Sequence, residues 1–517
     1  MKGYLYILSG PSSSGKTTLL NDLCKQPTGE ALGTVKAPKY STREERGPDD
    51  DVTQVFDAEG RPFVALGTGP FFDRCGNPVN VGPSGIDIAY AINKERYGLS
   101  TGRLSELLEE GKNVLVILSD FRIVRRLRRH FPANSKAVYI ASAVDPKKLE
   151  VEQTLRLGIT EEKRRELAAQ ITRLKAAERL HLWDRVAECI GELNDYWKKF
   201  KPGGESTDIR AERIRAFHTR YVDLLTLFDH VILNYTEGAP EEMSRQMKNV
   251  IASSAKHQAF HRAKQYPPIL IVAAASGAGK GTMMEMLGLV GTDSVRLTSK
   301  LAKRNKKMND KRDGMLAIGK PGEPPYEWPE WPDWWTEEMI SCARSGRFPP
   351  EYDLQWVFHK QQDGKAAGKG IQYAVSSHEI AENIRKGLPQ ILISNMDQFE
   401  RFREIYGNRA VFLYVYRLAS AQDTEGWYLS VNPDQADARA RIEEIRRVHE
   451  SYMERIAEFD HVLLNTTHQE DLYDQIFHLL EYYHEIGERE ELEQVAKPTP
   501  STARLSITLG SRETHGE

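Results

Sequence analysis

The stretch Tyr4-Leu5-Tyr6-Ile7-Leu8-Ser9-Gly10-Pro11-Ser12-Ser13-Ser14-Gly15-Lys16-Thr17-Thr18-Leu19-Leu20 passes from an apolar run through a glycine- and serine-rich turn into a helix-compatible segment. Gly10 to Thr17 satisfy G-x-x-x-x-G-K-[ST] in the strand-to-helix setting that gives the pattern its physical meaning. The glycines permit a compact turn whose successive backbone N–H groups point inward at a helix N-terminus, where they cradle phosphate oxygens. Lys16 is expected to bridge the terminal phosphates of a nucleotide and Thr17 to hold Mg2+. ATP and Mg2+ are the expected cofactors, and Gly10, Ser12, Ser13, Ser14, Gly15, Lys16, Thr17 and Thr18 the expected ATP-binding residues.

The same order recurs 264 residues later, where Ile269-Leu270-Ile271-Val272 enters Ala274-Ala275-Ser276-Gly277-Ala278-Gly279-Lys280-Gly281-Thr282. This loop departs from the pattern: Ala274 replaces the first glycine and Gly281 follows Lys280 where a hydroxyl would touch magnesium. Ser276, Gly277, Ala278, Gly279, Lys280, Gly281 and Thr282 are read as a second, weaker ATP-binding loop, with a decayed loop kept for packing as the alternative. A second repeat closes each half: Phe228-Asp229-His230-Val231-Ile232-Leu233-Asn234 returns as Phe459-Asp460-His461-Val462-Leu463-Leu464-Asn465, identical at six of seven positions. Between these landmarks each half has further strand candidates, Asn113 to Leu118 and Lys136 to Ile140 in the first, Gln390 to Ile393 and Ala410 to Val415 in the second. Strands alternating with helical stretches predict a parallel sheet covered on both faces.

The 517 residues exceed one ordinary core at roughly 100–200 residues per domain. With 71 Lys+Arg against 74 Asp+Glu, the chain has no global field to attract a polyanion, so nucleic acid is not expected as a partner. No apolar run reaches the ~18–20 residues of a membrane-spanning helix, and no leader is evident, so no membrane partner is expected and the cytoplasm is the expected location. Cys24, Cys75, Cys189 and Cys342 lack metal-ligand or disulfide spacing and read as small buried hydrophobes. Pro146 to Glu178 and Ile209 to Leu227 read as a helical excursion from the first sheet, and a polar segment near 254 to 267 as the junction between halves. The fold class is α/β: two tandem P-loop domains, 1–255 and 266–487, each a parallel sheet flanked by helices with a helical lid insertion. Residues 488–517, Lys497 to Glu517 above all, are expected to form a poorly ordered polar tail.

The first half resembles guanylate kinase and its nucleoside-monophosphate kinase relatives. The resemblance rests on the loop Gly10 to Leu20, on Ser41-Thr42-Arg43-Glu44-Glu45-Arg46, similar to the family's [ST]-T-R-x-x-R, and on Tyr97-Gly98-Leu99-Ser100, similar to its Tyr-Gly-x-Ser turn. It implies that Ser41, Arg43, Arg46, Tyr97 and Ser100 bind the acceptor, the two arginines clamping its phosphate by bidentate hydrogen bonds. It further implies that Asp120 lies near magnesium and acceptor, that Arg156 and Arg173 are lid arginines which neutralise the transferring phosphoryl group, and that Asn234 contacts the donor adenine. Each has a plainer counterpart: Asp120 as a helix cap, Asn234 as a strand-end turn residue, the arginines as solvated charges. The family's guanine-reading acid falls near Ile88, with Asp87 adjacent, and Asp57 to Gly85 form an insertion where the monophosphate site belongs, so guanine is not assigned.

The second half resembles the family more faintly. Lys303-Arg304-Asn305-Lys306-Lys307 stands for the clamp, Tyr373-Ala374-Val375-Ser376 echoes the turn, and Asn395 replaces the aspartate. Trp328, Trp331, Trp334 and Trp335 are expected either to stack on a base or to pack beneath a loop, and Arg439, Arg441, Arg446 and Arg447 to form a lid-like helix. The expected activity is ATP-dependent phosphoryl transfer to a nucleoside or deoxynucleoside monophosphate, catalysed by the first domain through Lys16, Asp120, Arg156 and Arg173, with nucleotide small molecules as substrates. A non-catalytic nucleotide-sensing or scaffold protein and a kinase of another small phosphorylated metabolite are the alternatives. The sequence leaves the oligomeric state undetermined.

Overall fold

The computed structural model describes residues 3–11, 14–25, 27–45, 47, 49–92, 95–142, 207–234, 240–262, 264–275, 277–281, 283–284, 287, 295–298, 300–302, 315–317, 335–345, 347–349, 352–360, 371–417, 429, 435–465 and 469–496. Arg46, Arg156, Arg173, Ser12, Ser13, Ser276, Thr282, Lys303 to Lys307, three of the four clustered tryptophans and the Pro146 to Glu178 part of the helical excursion lie outside them.

The first region opens with β1 (Leu5–Ser9), which leads through the glycine loop into α1 (Lys16–Cys24). A short α2 (Thr28–Leu32) follows, then β2 (Thr34–Lys36), β3 (Lys39–Ser41), β4 (Thr53–Gln54), β5 (Ile88–Ile92) and β6 (Glu95–Leu99). After α3 (Thr101–Glu109) come β7 (Asn113–Ile117), α4 (Phe121–His130), β8 (Ser135–Ser142), the helix Thr207–Leu224, β9 (His230–Asn234) and the helix Pro240–Arg262. Five strands form a sheet of order β2-β7-β1-β8-β9, parallel throughout. Its central strand is buried from Leu5 to Leu8, as a parallel strand covered on both faces requires, which is why it reads as a continuous apolar run instead of an alternation.

The second region repeats this plan. Its elements are β10 (Ile269–Ala273), β11 (Arg296–Leu297), β12 (Lys300–Ala302), β13 (Met315–Ala317), the helix Glu337–Arg344, β14 (Tyr352–Lys360), β15 (Ile371–Ser376) and the helix Ser377–Arg385. They continue with β16 (Gln390–Ile393), the helix Phe399–Tyr406, β17 (Ala410–Arg417), the helix Gln435–Arg455, β18 (His461–Asn465) and the helix Gln469–Ala496. The parallel sheet runs β11-β16-β10-β17-β18, the same topology as the first. Each region also carries a smaller mixed sheet, β4-β3-β6-β5 in the first and β13-β12-β15-β14 in the second.

Three expectations change. The junction near 254 to 267 is helical as far as Arg262, and beyond it Lys264 is buried, its ammonium donating to the Ala410 carbonyl at 2.6 Å and to the Asp460 carboxylate at 2.8 Å. A polar reading fails there because the charge has an internal partner. The tail expected from 488 is helix through Ala496, and residues 497–517 lie outside the described part. Cys75 is exposed, because it sits on a turn whose backbone is held by Asp73.

The repeated heptapeptide has a structural cause. Asp229 accepts from the Ala137 N–H at 2.8 Å and pairs with Arg128 at 2.9 Å; Asp460 accepts from the Phe412 N–H at 2.8 Å and pairs with Lys264. Each aspartate pins the start of an edge strand to its neighbour. These edges meet across the regions: the Tyr221 hydroxyl donates to the Val462 carbonyl at 2.6 Å and the Tyr452 hydroxyl to the Val231 carbonyl at 2.8 Å. Each half gives the other the bond it receives, the pattern of an isologous, two-fold-like contact. Tyr221→Phe and Tyr452→Phe should each cost about 1 kcal/mol, the net worth of a buried hydrogen bond. Urea denaturation of the full chain measures this, and an unchanged midpoint in both variants would show these bonds carry no stability.

Candidate functional site

The loop after β1 is built by exclusion. Gly10 has φ +154°, and a Cβ there would stand 2.6 Å from the Ile140 carbonyl oxygen; Gly15 has φ +88°, and its Cβ would meet Met243 at 2.7 Å and the Asn234 amide at 3.0 Å. Only glycine fits both places. Lys16 curls back over the turn, donating to the carbonyls of Gly10 (2.9 Å) and Pro11 and approaching the Ser14 hydroxyl at 3.4 Å. Burial lowers its pKa from 10.5 to about 8, opposed by the charge of Asp51 and reinforced by that of Lys39. Thr17 and Thr18, on the first turn of α1, are exposed. The turn therefore carries the lysine and, on Thr17 and Thr18, the exposed side chains that fit a nucleoside triphosphate with its magnesium.

Asn234, at the end of β9, donates its side-chain amide to the Ser14 carbonyl at 2.9 Å. In this structure it braces the loop, the strand-end role that was the plainer of its two readings. The second loop is braced alike, by Asn465 on the Ala278 carbonyl at 2.9 Å, and Lys280 caps the carbonyls of Ala274 and Ala275 at 2.7 Å each. Gly277 and Gly279 have φ +76° and +101°, and a Cβ on Gly279 would stand 2.3 Å from the Asn465 amide. Losing the first glycine to Ala274 has not changed this bonding scheme.

Facing the first loop is the small sheet. Alternation along β3 places Lys39 and Ser41 on one face and Tyr40 on the other, and Arg43 lies on the bend just beyond the strand. Tyr97 pairs with Ser41 across the sheet and stacks on Tyr90, with centroids 5.4 Å apart. The Arg43 guanidinium grips the Asp50 carboxylate through both forks, at 2.7 and 2.9 Å, and this bond raises its already high pKa. The Ser41 hydroxyl accepts from the Arg43 N–H at 2.9 Å. Ser100 caps α3, accepting from the Arg103 N–H at 3.2 Å.

Asp120 caps α4 through the Arg122 N–H at 2.9 Å and is further bound by the Arg122 side chain at 2.7 and 3.1 Å. Burial acts to raise the Asp120 carboxyl, but the Arg122 bonds together outweigh it and hold the group below the usual carboxylate range. Asn395 caps its own short helix and donates to Asp397 at 2.9 Å. The acid nearest the expected guanine position is engaged: Asp87 accepts from both the N–H and the hydroxyl of Thr101, while Ile88 is buried.

In the insertion 57–85, Val64, Phe71 and Val81 form a core with Val55 and Ile86 against Tyr40, on the opposite face of the small sheet from Lys39 and Ser41, and Arg74 pairs with Glu44 at 2.5 Å. Two similar turns build it, Phe56-Asp57-Ala58-Glu59-Gly60-Arg61-Pro62 and Phe72-Asp73-Arg74-Cys75-Gly76-Asn77-Pro78, each closed by its aspartate accepting the N–H four residues on at 2.8 Å. Sequence reasoning also missed Lys39, Asp50 and Asp51; a lone lysine in a strand and an acidic run carry no motif, and only the sheet brings them to the loop. Of the tryptophans, Trp335 packs with Leu301, Met339, Ala343 and Ala374, the packing alternative.

The two regions are P-loop α/β folds with parallel sheets flanked by helices. No family model matches the chain. It is 24% identical over 197 residues to a guanylate kinase of Alkalilimnicola ehrlichii, a match covering 38% of this chain and 77% of that protein. It is 28% identical over 139 residues to a guanylate kinase of Thiobacillus denitrificans, covering 27% of this chain and 56% of that protein, little more than half its length. The crystal structure of guanylate kinase from Anaplasma phagocytophilum aligns with 45% of this chain and 96% of its own, at 16% identity and a TM-score of 0.26. The sequence matches support a guanylate-kinase-like P-loop domain. Among the described residues no helix is long and apolar enough to cross a membrane.

The lowered pKa of Lys16 has a signed consequence. Between about pH 8 and 10.5 the unfolded chain keeps a proton that the folded chain releases, so this group adds stability as pH rises through that window. Lys16→Met should abolish that increment, read as a pH-dependent difference in denaturation midpoint between the two proteins. A difference constant from pH 7 to 10 would show that Lys16 titrates normally.

Proposed function

We propose that residues 1–255 form a kinase that transfers the γ-phosphoryl group of ATP to a nucleoside or deoxynucleoside monophosphate, and that residues 266–487 form a divergent second domain with a regulatory role. The observation that carries this reading is the phosphate loop standing beside the small sheet that bears Lys39: the charges of Asp51 and Lys39 act on Lys16, and Asp51 contacts Lys39 and lies 4.0 Å from Arg43. Donor and acceptor phosphates held on those two surfaces face each other. The relatives named guanylate kinase support the same chemistry.

In this reading the loop amides and Lys16 hold the β- and γ-phosphates, and Thr17 and Asp120 hold magnesium, Asp120 by giving up Arg122. Magnesium, when bound, offsets negative charge on the phosphates. Arg43, with Arg46, orients the acceptor so that its phosphate oxygen approaches the γ-phosphorus in line with the departing ADP oxygen. One P–O bond forms as the other breaks, and no covalent enzyme intermediate is needed. Arg156 and Arg173 are proposed to cover the transferring group. Tyr97 and Ser100 complete the acceptor side, and Asn234 serves the donor side through the loop it braces.

The engagement of Asp87 and the burial of Ile88 favour an acceptor other than guanine, including a small phosphorylated metabolite without a purine. In the second region the neutral Asn395 supports a role other than catalysis. ATP consumption by the full chain, measured across ribo- and deoxynucleoside monophosphates, tests the proposal. Lys16→Ala should lower acceptor-dependent turnover by ~100-fold or more, since it removes stabilisation of the transferring group, while Lys280→Ala should leave at least half. Equal losses would place chemistry in both regions, and ATP hydrolysis without a phosphorylated acceptor would end the kinase reading.

A further inference from the structure

Lys39 is a buried lysine that the reaction sketched above does not use. Its side chain is 7% exposed, and its ammonium donates to the Ile117 carbonyl at 3.0 Å and to the Asp51 carboxylate. Asp51 is itself 13% exposed and stands 4.0 Å from Arg43, whose fork is filled by Asp50. The charge of Asp51 also reaches Lys16 across the gap to the phosphate loop. The Asp51 carboxylate thus stands between two cations, Lys39 in direct ion-pair contact and Arg43 at 4.0 Å, with the charge of Lys16 within electrostatic reach. The Tyr97 ring closes the side, its centroid 5.9 Å from the Lys39 ammonium.

A buried ion pair is a poor way to gain stability, because desolvation cancels most of the attraction and an apolar pair of the same volume does as well or better. The arrangement has the chemistry of an anion seat: an ammonium and a guanidinium face the two oxygens of one carboxylate with a second ammonium in electrostatic reach, and a phosphate dianion offers those cations a third oxygen and a larger charge. We infer that Lys39 is a ligand of the acceptor's phosphate, and that Asp51, with Asp50 on Arg43, is a displaceable internal counter-ion holding the phosphate's place. This rests on the kinase reading for the identity of the ligand. The acceptor phosphate trades places with the carboxylates by rotation of the Asp50 and Asp51 side chains, and no bond is made or broken. Binding then depends on opposing charges: the lysine pulls the acceptor in and the aspartate competes with it.

That opposition supplies the test. In the full chain, Asp51→Asn should tighten the acceptor, lowering its KM about 5-fold with kcat within 2-fold, while Lys39→Met should raise KM ~10-fold or more with a smaller change in kcat. The double variant Lys39→Met/Asp51→Asn removes both charges together, so its denaturation midpoint separates loss of binding from loss of fold. A weaker acceptor or a collapsed kcat in Asp51→Asn would make Asp51 a participant in the chemistry and overturn the inference. An unchanged KM in folded Lys39→Met would make the lysine structural and overturn it equally. Inorganic phosphate titrated calorimetrically into Lys16→Ala, with and without each substitution, reads the same seat without turnover. Tighter phosphate with Asp51→Asn and weaker with Lys39→Met would uphold the seat even if no nucleotide were phosphorylated, and the absence of both effects would reject it whatever the assay shows.

Discussion

The position of the first phosphate loop is set by the two strands that crowd it. Gly10 lies against the Ile140 carbonyl of β8, and Gly15 against the Asn234 amide that ends β9. A turn with no room for a Cβ on either side cannot drift without moving those strands, and the strands are held in turn. Asp229 ties β9 to β8, and the Gln246 side chain bonds both the N–H and the carbonyl of Leu233, one residue before the brace. A loop proposed to present backbone amides to phosphate is thereby held in place by hydrogen bonds, so its conformational cost would be met on folding instead of on binding.

The same strand carries the contact between the regions. Tyr452 bonds Val231, three residues before Asn234, and Tyr221 bonds Val462, three residues before Asn465. Arg245 reaches Glu450 and Asn249 reaches the Met453 carbonyl, so the helix Pro240–Arg262 takes part as well. Apolar residues of both sheets belong to one contiguous core. The edge strands β9 and β18, which would otherwise offer unpaired groups to other chains, are covered by each other's region. Whatever displaces one loop brace must work against the interface that fixes the other.

The elements legible in the sequence were those with a local signal. Continuous apolar runs marked β1, β7, β8, β10, β16 and β17, and the glycine–lysine turn marked the loop. The repeated Phe-Asp-His segment marked the strand ends before its reason was visible. What escaped was non-local. Lys39 meets the Ile117 carbonyl across 78 residues, and no period or motif encodes that pairing. Asp50 and Asp51 escaped notice because their partners, Arg43 and Lys39, are brought to them only by the fold. The insertion was placed over the acceptor side because it follows Arg46 in sequence, yet alternation along β3 puts its anchor, Tyr40, on the far face. Asp120 carried two readings and Ser100 only the acceptor-binding one, and the bonds seen at both are those of helix caps, which a binding role would have to share.

The second region shows which parts of this design packing preserves. Asn465 still braces Ala278, Gln475 still bonds both backbone groups of Leu464, and Lys300 still reaches the Ile393 carbonyl at the end of β16, as Lys39 reaches Ile117 at the end of β7. These groups satisfy buried backbone atoms, and removing any of them leaves a polar group unpaired inside the protein. Asn395 caps its helix as well as the aspartate does, because an amide oxygen serves that purpose equally. The first glycine, the hydroxyl after the loop lysine and the charge of Asp120 are among what differs, and none is required to keep the strands in place. Lys39 and Lys300 share the structural bridge, so the bridge alone does not account for the carboxylates gathered around Lys39, Arg43 and the first loop. Their convergence is what the proposed anion seat accounts for.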